Sequence, residues 1–161
     1  MLTYHLMTEA EKERASDWTY EGEYSIYNEP PYAEQKKQKI GFGNPARDKN
    51  FYAYYDGDTF VGYTNILEEE REVFIGIGVR PDLCGQGYGQ RIMKLVREIS
   101  KTLYPGKPLY LEVRTWNRRA IRCYEKAGFV VEGEPFTQRT LIGEGEFIRM
   151  RFADEKDRGL E

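Results

Sequence analysis

Apolar residues recur with period two at Val73, Ile75, Ile77 and Val79, which predicts a half-buried strand ended by Pro81. Its other face carries Phe74, Gly76 and Gly78, and glycines inside a strand mark a bulge or a close approach. After Gly85, Gly87 and Gly89 the period becomes helical: Ile92, Leu95, Val96, Ile99 and Leu103, closed by Pro105-Gly106. An apolar strand over 109–113 follows, with Leu111 and Val113 on one face and Tyr110 and Glu112 on the other. A helix is predicted over 117–127, capped by Gly128, and then a hairpin of 129–131 with 147–152. Upstream, a short strand over 2–7 precedes a capping box, Thr8 to Glu11, that starts a helix running to about Trp18. A short polar helix over 32–39 and a loop over 41–48 lead to a hairpin of 51–55 with 60–67 around Asp56-Gly57. Residues 68–72 read as an acidic turn. The fold class is α/β: one domain over 1–153, with a mixed, mostly antiparallel sheet and helices on both faces. Residues 1–49 form its variable part and 50–152 its core. From Asp154 the chain reads as a polar tail, and Leu160-Glu161 as an appended remnant.

Composition narrows the chemistry. At 161 residues the chain is long enough for a sizeable core. His5 is the single histidine, so a histidine-based metal site or a Ser-His triad is excluded, and no metal is expected. No run approaches the ~18 apolar residues of a membrane span, and no signal peptide is recognised. Two cysteines without secretory context fit a reducing cytoplasm. The net charge of −3 hides an asymmetry: residues 85–126 hold ten Lys/Arg against three Asp/Glu, and residues 1–84 hold nine against sixteen. A basic segment around the glycines suits a phosphorylated ligand, and acidic flanks suit a cationic one. A nucleic-acid partner would require a broad basic surface that this acidic chain lacks.

Glycines at a helix start let bare backbone N–H groups converge on an anion, with the helix dipole behind them. A nucleotide P-loop is excluded, because Gly89 is followed by Gln90-Arg91-Ile92 and not by Gly-Lys-Ser/Thr. A dinucleotide fingerprint is excluded by the spacing G-x-G-x-G and by the missing acidic residue about 20 positions on. On the loop alone, a turn serving only chain reversal stays an equal alternative.

A second stretch shifts that balance. Val79-Arg-Pro-x-x-x-Gly-x-Gly-x-Gly together with Asn117-x-Arg-Ala-Ile-x-x-Tyr-Glu-Lys-x-Gly-Phe129 resembles the two signature motifs of the GNAT superfamily of N-acetyltransferases, in order and at the right separation. One position departs from the family: Cys84 stands where Arg or Gln is usual. The loop works mainly through its backbone.

The resemblance implies acetyl-CoA as cofactor. Cys84, Gly85, Gln86, Gly87, Tyr88, Gly89 and Gln90 would hold its pyrophosphate. Ile77, Gly78 and Val79 would pair with the pantetheine amides like an added strand, on a strand that splays from its neighbour, a distortion that Gly76 and Gly78 would ease. The Val79 N–H would polarise the thioester carbonyl. Asn117 would bond the pantetheine arm. Tyr124 is the family's usual general acid, and a phenol of pKa about 10 suits protonation of a leaving thiolate. Some members carry their base five residues before the motif's Asn, which is Glu112 here. An ion pair of Glu112 with Arg114, Arg119 or Arg122 is the equal alternative. Cys123 reads as a buried helix residue, so no acetyl-cysteine step is expected. The N-terminal part would wall the acceptor site, with Trp18, Tyr20, Tyr24 and Tyr27 as substrate-binding residues, roughly half of them serving only as core and edge aromatics. Glu21, Glu23 and Glu29 lie among them.

The implied activity is transfer of an acetyl group from acetyl-CoA to a primary amine of a small molecule or peptide, by direct attack in a ternary complex. A non-catalytic acyl-CoA-binding sensor and an interaction module are the alternatives. The expected partner is a cationic amine, with no nucleic acid or membrane, and a homodimer stays open. The acceptor itself is not named by the sequence.

Overall fold

The computed structural model describes residues 1–154, so most of the expected polar tail, with Leu160-Glu161, lies outside the described residues. Seven strands form a sheet in the order β1-β2-β3-β4-β5-β7-β6. They are β1 (Leu2–Leu6), β2 (Phe51–Asp56), β3 (Thr59–Glu68), β4 (Val73–Val79), β5 (Leu109–Arg114), β6 (Phe129–Thr140) and β7 (Gly143–Phe152). The helices are α1 (Glu9–Ser16), α2 (Tyr32–Gln38), α3 (Tyr88–Leu103) and α4 (Arg118–Lys126). Pairing is antiparallel for β1 with β2, β2 with β3, β5 with β7 and β6 with β7, and parallel for β4 with β5. The expected α/β class with a mostly antiparallel sheet is therefore present. The chain gathers into two compact units, Met1–Leu67 with Ile77–Tyr88, and Glu68–Gly76 with Gly89 onward, and β4 contributes to both.

In the first unit α1 starts at the predicted capping box: the Glu11 N–H donates to Thr8 Oγ1 (3.2 Å) and the Thr8 N–H to Glu11 Oε1 (2.9 Å). The helix ends at Ser16, short of Trp18, where the Ser16 hydroxyl donates back to the Lys12 carbonyl at 2.7 Å. Its inward face is polar, with Glu11, Lys12 and Ser16 buried beside Ala15. Buried polar groups require partners. Glu11 accepts from the Tyr55 hydroxyl (2.5 Å) and meets His5 Nε2 (2.8 Å), and Lys12 Nζ bonds Asp48 (2.9 Å). The apolar part is a cluster of Met7, Ala15, Tyr32, Phe42, Phe51, Ala53 and Phe60, against which Trp18, Tyr55 and Tyr63 pack.

In the second unit α3 buries Ile92, Met93, Val96 and Ile99, and the strands bury Leu109, Leu111, Val113, Ile148 and Met150. The Arg97 guanidinium lies 4.5 Å over the Phe152 ring. The parallel ladder of β4 with β5 consists of Val73↔Leu109 and Phe74↔Tyr110, at the start of each strand. The final hairpin is much longer than 129–131 with 147–152. It continues past a register shift between Glu132 and Phe136, around Gly133 and Pro135, to an exposed tip at Leu141 and Ile142. Backbone ladders, the stacked pair of Phe136 with Phe147 (6.1 Å) and a hydrogen bond from Thr115 to Glu146 (2.9 Å) hold this extension. Its mostly exposed side chains leave no apolar alternation to read.

Candidate active site

The glycine loop leaves the end of β4 through a braced turn. Arg80 adopts φ −51° and ψ 133°, as a residue before proline does, and residues 81–83 make one 3₁₀ turn. Arg80 holds Asp82 through two hydrogen bonds (2.7 and 3.0 Å), which keep the Asp82 carboxyl below its ordinary pKa range. The Cys84 thiol is turned back toward the carbonyls of Val79 and Arg80, each 3.7 Å away, so this side chain braces the turn. Gln86 Nε2 donates to the Asp82 carbonyl (3.3 Å), and the Tyr88 hydroxyl at the start of α3 donates to Asp56 (2.6 Å).

The three alternating glycines have two different causes. Gly85 and Gly87 have φ of +81° and +84°, and a Cβ on either would meet nothing within 4 Å. Their requirement is the left-handed backbone of an exposed loop, a conformation that lets successive N–H groups converge on an anion. Gly89 is limited by packing: a Cβ there would lie 2.7 Å from Cys123 Sγ on α4. Cys123 is half-buried, and burial raises its thiol pKa, as an inert packing thiol requires. No acidic residue stands in the first turn of α3, where Gln90 lies. Gly78 is explained by a residue that sequence reading missed. A Cβ on it would fall 2.4 Å from the ring of Tyr63, so the hydroxyl end of that ring occupies the space a side chain would need. No local pattern pairs residue 63 with residue 78.

The N-terminal segment is a closed loop. Gln35, fully buried on α2, donates to Ser16 Oγ (2.9 Å) and to the Pro30 carbonyl (2.8 Å), and its Oε1 accepts from the Phe42 N–H (3.0 Å). One carboxamide thus ties both ends of residues 16–30. Within the loop, Asn28 grips Tyr20: the Tyr20 N–H donates to Asn28 Oδ1 (2.7 Å), and Asn28 Nδ2 donates to the Tyr20 carbonyl (3.3 Å). Of the four expected acceptor-binding aromatics, Trp18 is half-buried against Phe60 (4.9 Å) and Tyr63 (5.9 Å), and serves as core edge. The Tyr20 hydroxyl donates to the Val79 carbonyl (2.7 Å). Tyr24 and Tyr27 lie on a 3₁₀ turn, Gly22–Tyr27, none of whose residues is buried. Glu21, Glu23 and Glu29 are exposed along the same segment.

In the second unit Glu112 is half-buried on β5, directly across from Arg149 on β7. Arg149 is engaged elsewhere: it bonds Glu72, bonds Glu132 (2.9 Å), and sits 3.8 Å over the Tyr110 ring. Arg114 is buried over Phe147 at 4.7 Å. The alternative of an ion pair from Glu112 to Arg114, Arg119 or Arg122 does not appear among the described residues. Asn117 is buried as the N-cap of α4, its Oδ1 accepting from the Ala120 N–H at 3.1 Å. Tyr124 is half-buried on α4, its ring edge-on to Phe129 at 6.4 Å. Among the described residues no cluster of metal-ligating side chains occurs, and no helix is long and apolar enough to cross a membrane.

Residues 8–129 match the family model described as the acetyltransferase (GNAT) family. The chain is 33% identical to the spermidine N(1)-acetyltransferase of Escherichia coli (strain K12) over 89 residues, which is 54% of this chain and 48% of that protein. It thus spans about half the length of the curated relatives it matches. Among solved structures, the spermidine N-acetyltransferase from Vibrio cholerae in complex with CoA and spermine superposes with a TM-score of 0.75 at 18% identity, covering 93% of this chain and 94% of that one. An aminoglycoside acetyltransferase in complex with coenzyme A gives 0.70 at 20% identity, covering 92% and 94%. At such identities the structural likeness is one of fold. The match over residues 8–129 goes further: this chain belongs to the GNAT family of acetyltransferases.

Proposed function

We propose that the protein is an acetyl-CoA-dependent N-acetyltransferase whose acceptor is a polycationic amine of the polyamine class. The observation that carries the cofactor half is the loop of Gly85 and Gly87, held in the left-handed region with open space where side chains would be. That is what an N–H cradle for a pyrophosphate requires, and the acid-free first turn of α3 adds its dipole. The acceptor half draws on the relatives, named for spermidine and for aminoglycosides, and on exposed Glu21, Glu23 and Glu29 beside Tyr24 and Tyr27. Carboxylates and aromatic faces both attract ammonium groups. Cys84 and Cys123 are not joined in a disulfide, which suits a reducing compartment, and we place the protein in the cytoplasm.

When bound, acetyl-CoA supplies an activated acetyl group as a thioester. The N–H groups of residues 85–90 bind its pyrophosphate, and Ile77, Gly78 and Val79, which lie beyond the two-pair ladder of β4 with β5, bind the pantetheine amides. Asn117, which caps α4 through its Oδ1, bonds the pantetheine arm. The Val79 N–H polarises the thioester carbonyl. Glu112, without an ion-pair partner among the described residues, takes the proton of the acceptor ammonium, directly or through water, so that a neutral amine attacks. The C–N bond would form and the C–S bond break; the Tyr124 hydroxyl would give a proton to the departing sulfur and regain one from the nitrogen, which sheds its second proton as it becomes the amide.

The test is thiol release from acetyl-CoA by purified protein, with spermidine, an aminoglycoside and an N-terminal peptide as acceptors. Release that requires spermidine is the expected result. Acetyl-CoA binding without release for any amine would favour a sensor, and absence of binding would leave only an interaction module.

A further inference from the structure

The geometry points to Tyr20 as a positioning residue for acyl transfer: its hydroxyl fixes the peptide that joins Val79 to Arg80, and with it the Val79 α-carbon from whose other side the Val79 N–H projects. This rests on the reading of Val79 as the donor to the thioester carbonyl, and it replaces a place for Tyr20 in the acceptor wall. The Tyr20 hydroxyl reaches the Val79 carbonyl at 2.7 Å. On the other edge of the same planar unit, the Arg80 N–H donates to the Val61 carbonyl at 2.9 Å. A planar peptide gripped at both its C=O and its N–H cannot swing about its flanking bonds. Pro81 restricts Arg80 from the far side, and the Tyr63 ring covers Gly78 from the near side. Val79 is thereby framed by held neighbours at the end of a strand, where backbone otherwise frays.

Tyr20 is itself suited to hold something else in place. Both its backbone N–H and its carbonyl are tied to the Asn28 carboxamide, and the loop carrying it is anchored at both ends by buried Gln35. The phenol is presented by a rigid loop, and its hydroxyl is aimed at the strand. A donor to a developing oxyanion is effective when it is oriented before the reaction begins. A rigid Tyr20–Val79 link supplies that orientation from outside the family motifs.

The experiment compares the parent with Tyr20→Phe, using acetyl-CoA labelled with ¹³C at the thioester carbonyl and infrared difference spectra of the bound form. In the parent the bound carbonyl band lies below that of free acetyl-CoA, as hydrogen bonding to the oxygen requires. In Tyr20→Phe the band moves back toward the free position. With spermidine as acceptor, kcat falls about tenfold, less than the 10²–10³ for deleting an oxyanion donor itself. The acceptor KM and the acetyl-CoA Kd stay within about twofold. Asn28→Ala, which loosens Tyr20 without altering its ring, shifts the band in the same direction by less. A parent-like band in a folded Tyr20→Phe protein overturns the assignment, as does a rise in acceptor KM with kcat unchanged, which would return Tyr20 to the wall. A parent band already at the free position removes Val79 as the donor and the role of Tyr20 with it, so failure of the underlying reading is seen separately.

Discussion

The glycine loop at 84–90 and the aromatic loop at 16–30 are built by opposite means. The first is a backbone device: two left-handed glycines with empty space around them, braced by the side chains of Cys84, Gln86 and Tyr88. The second is a side-chain device, in which Gln35, Trp18 and Tyr20 each reach a partner distant in the chain and Asn28 grips Tyr20 within the loop. A backbone device shows itself as a local pattern of glycines. A side-chain device shows only as composition, because its pairs are fixed by the fold. On the proposed function the difference also divides their work: a cradle of N–H groups for a phosphorylated group common to many reactions, and a loop of side chains for what is particular to one.

The sharpest break of this contrast is Gly87→Glu. At φ +84° any side chain costs roughly 1–2 kcal/mol in backbone strain, and the carboxylate adds repulsion against the pyrophosphate. Acetyl-CoA binding, measured by calorimetry on folded protein, should be lost. Gly87→Ala carries the strain without the charge and should weaken binding without abolishing it. Unchanged affinity in the glutamate variant would mean that the loop only reverses the chain.

Next in size is Tyr124→Phe, which should leave the acetyl-CoA Kd nearly unchanged and lower kcat by about 10² to 10⁴, the range for a positioned proton donor. Pre-steady-state thiol release separates this from slower product departure. A full chemical rate would remove the phenol from the mechanism.

A smaller effect is expected from the aromatic loop. Replacing both Glu21 and Glu23 by glutamine should raise the acceptor KM several-fold and leave the acetyl-CoA Kd alone. Rising salt should weaken acceptor use more in the parent than in the variant, since exposed charges are screened. Parallel salt curves would make these glutamates mere solubilising surface.

The smallest effect concerns the first unit's polar core. Burial of Glu11 pushes its pKa up, but hydrogen bonds from Tyr55, the Thr8 N–H and His5 outweigh this and hold it below the ordinary carboxylate range. A depressed carboxylate gives stability that is fully present above its unfolded pKa and is lost as pH falls through the folded one. Between neutral pH and the acid side of the carboxylate range, the parent should therefore lose more Tm than Glu11→Gln. Equal losses would show that the cluster contributes nothing to acid stability.

Legibility followed the same division. The capping box at Thr8, the Asp56-Gly57 hairpin, the period-two run from Val73 and the amphipathic α3 are local periodicities, and all were readable before the fold was known. So were the positions of Tyr124 and Asn117 on and at the start of α4. The glycines were readable as a group but not by cause. Gly89 answers to Cys123 and Gly78 to Tyr63, contacts made through the fold across more than ten residues. The long β6–β7 extension escaped because exposed strands bear no apolar code. Buried Gln35 and the polar inward face of α1 escaped because their partners come from separate elements.

The most direct measurement uses protein labelled with ¹⁵N at glycine, titrated with coenzyme A and separately with spermidine, and followed through assigned amide resonances. The cradle contains Gly85, Gly87 and Gly89, the aromatic loop contains Gly22 between Glu21 and Glu23, and Gly106, past the C-terminal end of α3, serves as a reference. Coenzyme A should move Gly85, Gly87 and Gly89 and leave Gly22 and Gly106 in place, and spermidine should move Gly22. Loop glycines that stay still while coenzyme A binds elsewhere would contradict the account at its centre.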